Sequence, residues 1–321
     1  MKKLGLTLYA AIAMAINVVQ AEELKFAHVY ETSEPFHKWA EWAAQEIEKR
    51  TEGRYSIKVF PASTLGKEAD LNEGLQLGTV DIIYTGAGFL GRLYKPLNVV
   101  GESYMFRDFN HWKSFTESDY FKELSSGFQK ETGNVVLALN YYGTRHVTAN
   151  KAIINPEDMR NLRIRIPNAK LYMIFPEAVG ANPTPLAFDE VYLALQQGVV
   201  DAQENPLTTI KAKGFYEVQS HISLTGHIID SLATIASGGL WERLSDEDKK
   251  IFQDVFYETA NNNTAETLKG EDELLAFFKE KGKVINEVDT TMFRDLVVNY
   301  KKDKLKGWNI DAYERVQKIG R

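Results

Sequence analysis

The chain of 321 residues contains no cysteine. This absence excludes disulfide bonds, thiolate nucleophiles, cysteine-based zinc sites and iron–sulfur clusters. Lysine and arginine are scattered without a basic block, and 44 acidic against 38 basic side chains give a formal net charge of −6. Proteins that bind nucleic acid usually concentrate positive charge on one face, so the composition argues against a nucleic-acid partner.

Long apolar stretches are also scarce, and the only one lies at the N-terminus. Leu4 to Val19 carries no charge and follows Lys2 and Lys3. Because Val19-Gln20-Ala21 offers small residues where a signal peptidase reads, residues 1–21 are predicted to be a signal peptide cleaved after Ala21. A membrane anchor is the alternative, but the stretch is shorter than the roughly twenty apolar residues that span a bilayer. We therefore expect export to the periplasm of a Gram-negative cell.

The rest of the chain opens with alternating strand and helix patterns. Residues 24–29, 55–59 and 79–84 are predicted strands, the second with alternating apolar residues, and apolar residues recur at helical spacing between them. A strand–helix–strand–helix–strand order implies a parallel sheet with helices on its faces. The predicted fold class is therefore α/β.

A sequence repeat divides this pattern in two. Leu75 to Asp81 reads LQLGTVD, and Leu195 to Asp201, 120 positions later, reads LQQGVVD. Each copy is preceded by a strand that stops at a proline, Pro61 in the first and Pro167 in the second. Two related α/β lobes are the simplest explanation.

A long helix is predicted in the last third of the chain. Ser245 and Asp248 form a capping box, and helix-forming residues continue to about Lys281. A helix of about 50 Å would exceed one lobe and could run along both. The alternative is two consecutive helices, because residues 261–263 and Gly270 are weak helix formers.

The motifs that resemble cofactor or metal sites do not have the context that such sites require. Gly86 to Gly91 matches the GxGxxG dinucleotide pattern, but Pro96 would interrupt the helix that must hold the pyrophosphate. We interpret this segment as a glycine-rich loop. The six histidines are dispersed without metal-ligand spacing. We expect no catalytic residues, no metal and no cofactor.

Three arginines stand at positions typical of ligand contacts. Arg163 and Arg165 alternate with isoleucines before Pro167, so both lie on one face of a strand. Arg145 follows a strand pattern at Gly143-Thr144. The carboxyl ends of parallel strands face the crevice where such folds bind ligands, and a guanidinium group suits a carboxylate. A structural salt bridge is the alternative for each arginine.

The same region carries several motifs of a known family, and the chain resembles the solute-binding proteins of tripartite ATP-independent periplasmic (TRAP) transporters, the DctP-like family. The second half is close to the sialic-acid-binding members. The motifs are Gly143-Thr144-Arg145, Arg165-Ile166-Pro167-Asn168, the run from Asn182 to Tyr192, and the run from Val200 to Pro206. The resemblance implies two lobes hinged around a central cleft, with a long helix spanning both. It implies a first lobe of residues 22–143 plus about 226–270, and a second of 144–225 plus about 271–321.

The resemblance also implies a set of ligand-binding residues. Arg165 matches the arginine that forms a bidentate salt bridge to the ligand carboxylate. Arg145 and Asn205 match a second arginine and an asparagine that also hold the carboxylate. The other matching positions in the cleft are Asn168, Phe188 and Glu68, and the region of His28 replaces an asparagine of the family.

The end of the site that identifies the solute departs from the family pattern. Sialic-acid binders carry a glutamate after the third strand, where this chain has Thr85-Gly86-Ala87. We therefore expect a small organic acid, a sugar acid such as a uronate or an aldonate, with a C4-dicarboxylate or sialic acid as alternatives. The expected partners are this acid and the TRAP membrane permease, and we expect a monomer. A periplasmic enzyme acting on a carboxylated sugar, or a sensor partner, is the alternative class.

Overall fold

The computed structural model describes residues 21–320. The predicted signal peptide lies outside the described residues, except for its last residue, Ala21. Across the described range, no helix combines the length and the apolar character needed to cross a membrane.

Nine strands and thirteen α-helices make up the described chain. The strands are β1 (Glu22–Ala27), β2 (Tyr55–Phe60), β3 (Ile82–Gly86), β4 (Val135–Ala149), β5 (Arg163–Ile166), β6 (Asn182–Pro185), β7 (Ala202–Pro206), β8 (His221–Ala236) and β9 (Val284–Asn286). The helices are α1 (Pro35–Arg50), α2 (Glu68–Leu77), α3 (Ala87–Leu93), α4 (Phe109–Thr116), α5 (Asp119–Thr132), α6 (Ile174–Ala178), α7 (Val191–Gln196), α8 (Leu207–Ala212), α9 (Phe215–Val218), α10 (Gly238–Arg243), α11 (Asp246–Glu280), α12 (Thr290–Lys304) and α13 (Ile310–Lys318).

One sheet connects two lobes through its two longest strands. Its order is β2-β1-β3-β8-β4-β7-β5-β6, with β9 beside β8. β4 and β8 pair antiparallel through the middle, while the parallel groups β2-β1-β3 and β6-β5-β7 flank them on opposite sides. The pairing of β4 shifts register between Tyr141 and Gly143 and again between Arg145 and Val147. The predicted two-lobe α/β class is thus confirmed, while the boundaries between the lobes remain a prediction.

The sequence repeat has the same structure in both lobes. The Asp81 carboxylate accepts the backbone N–H of Lys25 at 2.9 Å, and the Asp201 carboxylate accepts that of Arg163 at 3.1 Å. This contact makes β1 the counterpart of β5, and the sheet order makes β2 the counterpart of β6. The two strands that stop at Pro61 and Pro167 are therefore not equivalent. The sequence did not reveal which strand the repeated aspartate contacts.

The long helix α11 is continuous over 35 residues and contacts both lobes. Phe256 packs in the core of the first lobe and Phe278 in that of the second. The asparagine run does not break the helix, because the buried Asn263 donates a side-chain hydrogen bond to Asn140 on β4 at 3.2 Å. The prediction of one spanning helix is confirmed.

The interpretation of residues 86–91 as a loop is wrong, since Ala87 to Leu93 form the helix α3. Pro96 does not interrupt this helix, because it lies beyond its end, in a separate 3-10 turn. The glycines permit close packing: a Cβ on Gly88 would lie 2.5 Å from a ring carbon of Tyr172, and one on Gly91 would lie 1.6 Å from the Asn98 side chain.

The C-terminal helices contact both lobes. Tyr300 on α12 donates a hydrogen bond to Glu177 on α6 at 2.6 Å, in the second lobe. Arg315 on α13 pairs with Glu123 on α5 at 2.7 Å, in the first lobe. Residues 271–321, which the sequence assigns to the second lobe, thus also pack against the first.

Two glycine substitutions should have opposite effects on stability. A Cβ on Gly270, inside α11, would meet nothing closer than Thr208 at 3.9 Å, so Gly270→Ala should raise the free energy of unfolding by about 0.5–1 kcal/mol. A Cβ on Gly101 would lie 2.4 Å from the Cβ of Ala87, so Gly101→Ala should lower it by about 1–3 kcal/mol. Urea denaturation of both variants checks this, and equal effects would contradict the packing described.

Candidate functional site

Arg165 lies at the carboxyl end of β5 and is 1% exposed. Its Nε and Nη2 donate to the backbone carbonyl of Leu186 at 3.1 and 2.8 Å, which fixes the plane of the guanidinium group. Its Nη1 is buried and has no hydrogen-bond partner among the described residues. Since a guanidinium group carries five N–H groups, the fork formed by Nη1 and Nη2 still has free donors.

Arg163 takes part in a different interaction, although it lies on the same strand. It is exposed and pairs with Asp201 through an Nη2–Oδ1 distance of 2.6 Å. The salt bridge weighed as an alternative for each arginine is thus found at Arg163. Arg165 has no acidic partner within 4.0 Å among the described residues.

A cavity between the lobes surrounds Arg165. An inner part of about 30 Å³ adjoins an outer part of about 160 Å³, and Arg165, Glu68, Pro167 and Phe188 line both. The other lining residues of the inner part are Val29, Tyr30, Gly86, Tyr142, Arg145, Tyr172, Asn205 and Leu232. Those of the outer part are Lys67, Ala69, Asp70, Phe89, Asn168, Leu186 and Ala187. Both lobes therefore contribute to the walls.

Arg145 lines the inner cavity but is already paired with protein acids. Its Nη1 lies 2.9 Å from Asp230 Oδ2, and its Nε and Nη2 both bond the Glu204 carboxylate. Nη2 also donates to the backbone carbonyl of Glu204 at 2.7 Å. A direct bond from Arg145 to a ligand carboxylate stays a prediction, and most of its donors serve the protein itself.

The two buried arginines differ in their electrostatic compensation. Burial disfavours the charge of Arg145, but Glu204 and Asp230 outweigh it and raise the pKa of Arg145 above its ordinary value. Burial also opposes ionisation of Glu204, yet Arg145 and His227 lower the pKa of Glu204 to about 2. For Arg165 burial prevails and lowers the pKa to about 10. Arg165 is thus still charged at neutral pH, without a carboxylate beside it.

Glu68 stands at the first residue of α2 and faces the same cavity. Its Oε1 accepts the backbone N–H of Gly86 at 2.6 Å and the hydroxyl of Thr85 at 3.1 Å. Burial raises the pKa of Glu68 to about 7, although these two hydrogen bonds oppose the rise. The departure from the family pattern at Thr85-Gly86 therefore supplies donors to Glu68.

The remaining predicted residues are distributed unevenly. Asn205 lines the inner cavity, accepts from Arg145 Nη2 at 3.2 Å and donates to Gln203 at 2.6 Å. Asn168 is exposed at the outer part. The centroid of the Phe188 ring lies 5.8 Å from the guanidinium carbon of Arg165. From there the ring can pack against the apolar part of a ligand that binds Arg165.

His28 is fully buried beneath the cavity wall. It stacks on Tyr30, and its Nε2 lies 3.3 Å from Nδ1 of His37. Burial, with a contribution from His37, lowers the pKa of His28 to about 3. Because Tyr30 lines the inner cavity and His28 does not, contact between His28 and a ligand stays a prediction that the geometry does not favour.

Three tyrosines of the inner cavity were missed by sequence reasoning. Tyr30, Tyr142 and Tyr172 come from three separate segments and carry no motif, and only their position next to predicted site residues could have pointed to them. Residues 21–320 contain no group of three or more histidine, aspartate or glutamate side chains placed to hold a metal ion.

Glu34 is a second buried carboxyl group between the lobes. It precedes α1 of the first lobe, and its Oε2 accepts the hydroxyl of Thr209, on α8 of the second lobe, at 2.8 Å. Its Oε1 accepts the backbone N–H of Glu31 at 2.9 Å. Burial raises the pKa of Glu34 to about 7 in spite of these bonds.

Comparisons with known proteins agree on one family. A family model described as bacterial extracellular solute-binding protein, family 7, matches residues 26–304. The sialic acid-binding periplasmic protein of Vibrio cholerae is 34% identical over 284 residues, which cover 88% of each chain.

Two solved structures share the fold over nearly the whole chain. A TRAP periplasmic solute-binding protein from Polaromonas sp. JS666, bound to D-erythronate, has a TM-score of 0.89 and 31% identity and covers 93% of this chain and 99% of its own. One from Roseobacter denitrificans, with bound L-galactonate, has a TM-score of 0.88 and 27% identity with the same coverage.

Replacing Glu34 should change how stability depends on pH. Between about pH 4.5 and 7, the unfolded carboxyl loses its proton while the folded one keeps it, so stability falls as pH rises. A pKa raised from 4.5 to about 7 corresponds to about 3 kcal/mol. Between pH 5 and pH 8, the free energy of unfolding of Glu34→Gln should therefore fall by about 2–3 kcal/mol less than that of wild type. Urea denaturation at the two pH values measures both.

The exposed Glu73 provides the matched control, and Glu73→Gln should keep the wild-type profile. Parallel profiles for wild type and Glu34→Gln would show that Glu34 ionises normally in the folded protein.

Proposed function

Because this chain belongs to the bacterial extracellular solute-binding protein family 7, we propose that it captures a small sugar acid, such as a uronate or an aldonate, between its lobes. It is a TRAP solute-binding protein, and such proteins serve transport rather than catalysis. The solute is then delivered to the TRAP membrane permease.

The free donors of Arg165 are the observation that carries the proposal. Leu186 holds the guanidinium group from one side, and Nη1 is buried without a partner among the described residues. A carboxylate supplies two acceptor oxygens in the plane of such a fork and forms two charge-assisted hydrogen bonds. One carboxylate of the ligand thus satisfies Arg165.

The opposite wall favours hydroxyl groups over a second carboxylate. Glu68 faces the same cavity, and its Oε2 accepts no hydrogen bond from the described residues. The Glu68 side chain can accept a hydrogen bond from a ligand hydroxyl when ionised, and it can also donate one when protonated. A second ligand carboxylate would be repelled by the negative charge of Glu68 once Glu68 ionises. This disfavours a C4-dicarboxylate relative to a monocarboxylic sugar acid.

The size of the cavity disfavours sialic acid. Its inner and outer parts measure about 30 and 160 Å³, which is a small space for the nine-carbon sialic acid and suits a short hydroxy acid better. D-Erythronate and L-galactonate, bound by the two structural relatives, are short hydroxy acids of the proposed class.

Capture couples to closure of the lobes through desolvation. In an open cleft, water solvates Arg165. Closing the cleft without a ligand removes that water and leaves the charge uncompensated, which costs several kcal/mol. A bound carboxylate replaces the water, while groups such as Glu68 on the first lobe hold the rest of the solute. The ligand then shifts the population in proportion to its preference for the closed form.

The family supports the proposed localisation. Its members are periplasmic, and we expect cleavage after Ala21 to release this chain into that compartment. The monomeric state stays a prediction.

Replacing Arg165 tests the proposal. Arg165→Lys should weaken binding of the natural acid by about 2–5 kcal/mol, or roughly 30- to several-thousand-fold, because an ammonium group cannot form the planar pair of hydrogen bonds. The ligand is first found by thermal shift against uronates, aldonates, C4-dicarboxylates and sialic acid, since a tight ligand raises the melting temperature. Calorimetry then gives the affinities.

Arg163→Lys is the matched control, because Arg163 lies on the same strand but pairs with Asp201. Its affinity should match that of wild type. Equal binding by Arg165→Lys and wild type would disprove the assigned carboxylate contact, and a clear preference for a dicarboxylate would disprove the proposed ligand class.

A further inference from the structure

The side chain of Tyr172 reaches from the second lobe onto two glycines of the first. Tyr172 lies on a 3-10 turn, Lys170–Met173, that follows β5 and Asn168. A Cβ on Gly86 would lie 2.8 Å from its hydroxyl oxygen, and a Cβ on Gly88 would lie 2.5 Å from its ring. The ring therefore fits only because the first lobe presents two residues without side chains.

This contact forms a wall of the inner cavity. Tyr172 is 4% exposed, and its ring centroid lies 5.2 Å from the guanidinium carbon of Arg145, which holds the ring from the other side. Tyr172 and Gly86 line the inner part of the cavity but not the outer part. The whole inner part, which they help to enclose, has a volume of about 30 Å³.

We propose that Tyr172, seated against Gly86, is a size stop that limits the ligand to a short hydroxy acid of about four to six carbons. The proposal rests on the proposed function, because it concerns the length of the acid held by Arg165. A longer chain that extends from Arg165 into the inner cavity would meet the phenol ring, which packs between Arg145 and the two glycines.

The hydroxyl group has a separate role. It stands beside the Gly86 position where Glu68 also accepts, so it can hydrogen-bond a ligand hydroxyl there. Burial keeps this phenol protonated, since the pKa of Tyr172 lies well above its ordinary value. Removing the hydroxyl alone changes hydrogen bonding, whereas removing the ring changes the available length.

The first experiment compares binding of aldonates of three to six carbons and of sialic acid by calorimetry. Tyr172→Ala should shift the ratio of affinities at least tenfold towards the longer acids, while Tyr172→Phe should keep the wild-type length profile. Tyr192→Ala is the control, because Tyr192 lies outside the cavity and bonds Glu217 at 3.2 Å. An unchanged profile in folded Tyr172→Ala overturns the size stop and leaves the proposed function standing. If neither the wild type nor any variant binds an acid, both the size stop and the proposed function are overturned.

The second experiment does not depend on a cavity-forming variant. Gly86→Ala places a methyl group against the Tyr172 hydroxyl, so closure is impeded and affinity for every acid should fall at least tenfold. Adding Tyr172→Phe removes the clashing oxygen, and the double variant should bind within about threefold of Tyr172→Phe alone. Gly270→Ala, whose new methyl group would meet nothing closer than Thr208 at 3.9 Å, should bind as wild type does. Additive losses in the double variant would overturn the proposed contact.

Discussion

Arg165 is a charged group that is buried between the two lobes without an anionic partner among the described residues. The Leu186 carbonyl holds it in place but supplies only a partial negative charge. Full burial without an anion is unfavourable, and the lowered pKa of Arg165 expresses this same cost. The cleft is therefore built so that its closed form is incomplete until an anion enters. Affinity and conformational response then have one origin, since the anion that satisfies the charge also removes the obstacle to closure.

Arg145 shows how the protein avoids the same cost elsewhere. Two carboxylates, Glu204 and Asp230, neutralise it within the described structure. Truncating a partner of such a buried network is strongly destabilising, so Arg145 is better suited to hold the cavity wall than to exchange partners with a ligand. Its position beneath Tyr172 and beside Asn205 fits that role. Two arginines of similar burial thus have different roles. Arg145 pairs with carboxylates of the protein and supports the cavity wall, whereas Arg165 has no such partner and is suited to bind a ligand.

Local patterns in the sequence predicted the framework well. The repeat at Asp81 and Asp201 predicted the related lobes, although the strands that the two aspartates contact, 56 and 38 positions away, did not follow from the sequence. The span of α11 followed from its capping residues and helix formers, although its continuity at Asn263 depended on Asn140, far along the chain. The strand position of Arg165, together with the family motif, pointed to a surface facing the cleft.

Contacts between distant segments could not be predicted in the same way. The partners of Arg145 lie 59 and 85 positions away, and no local pattern links them. The glycines of α3 look like a loop in isolation, but Gly88 makes room for Tyr172 of the other lobe and Gly91 for the side chain of Asn98. The family resemblance places His28 at the ligand, whereas in the structure its side chain lies beside His37 in the buried layer, so that contact stays a prediction. In each case tertiary packing decides the direction of the side chain.

Other polar contacts also join the two lobes. Lys67 pairs with Glu190 at 2.5 Å, and Lys213 pairs with Glu31 at 2.6 Å. In each pair, the two partners lie on opposite lobes. The first pair is nearly half exposed, and exposed pairs contribute about 0–1 kcal/mol and weaken with salt. The buried Glu34 opposes closure once it ionises, because burial raises its pKa. A carboxylate at Arg165 shifts the balance between the open and closed forms by its preference for the closed one.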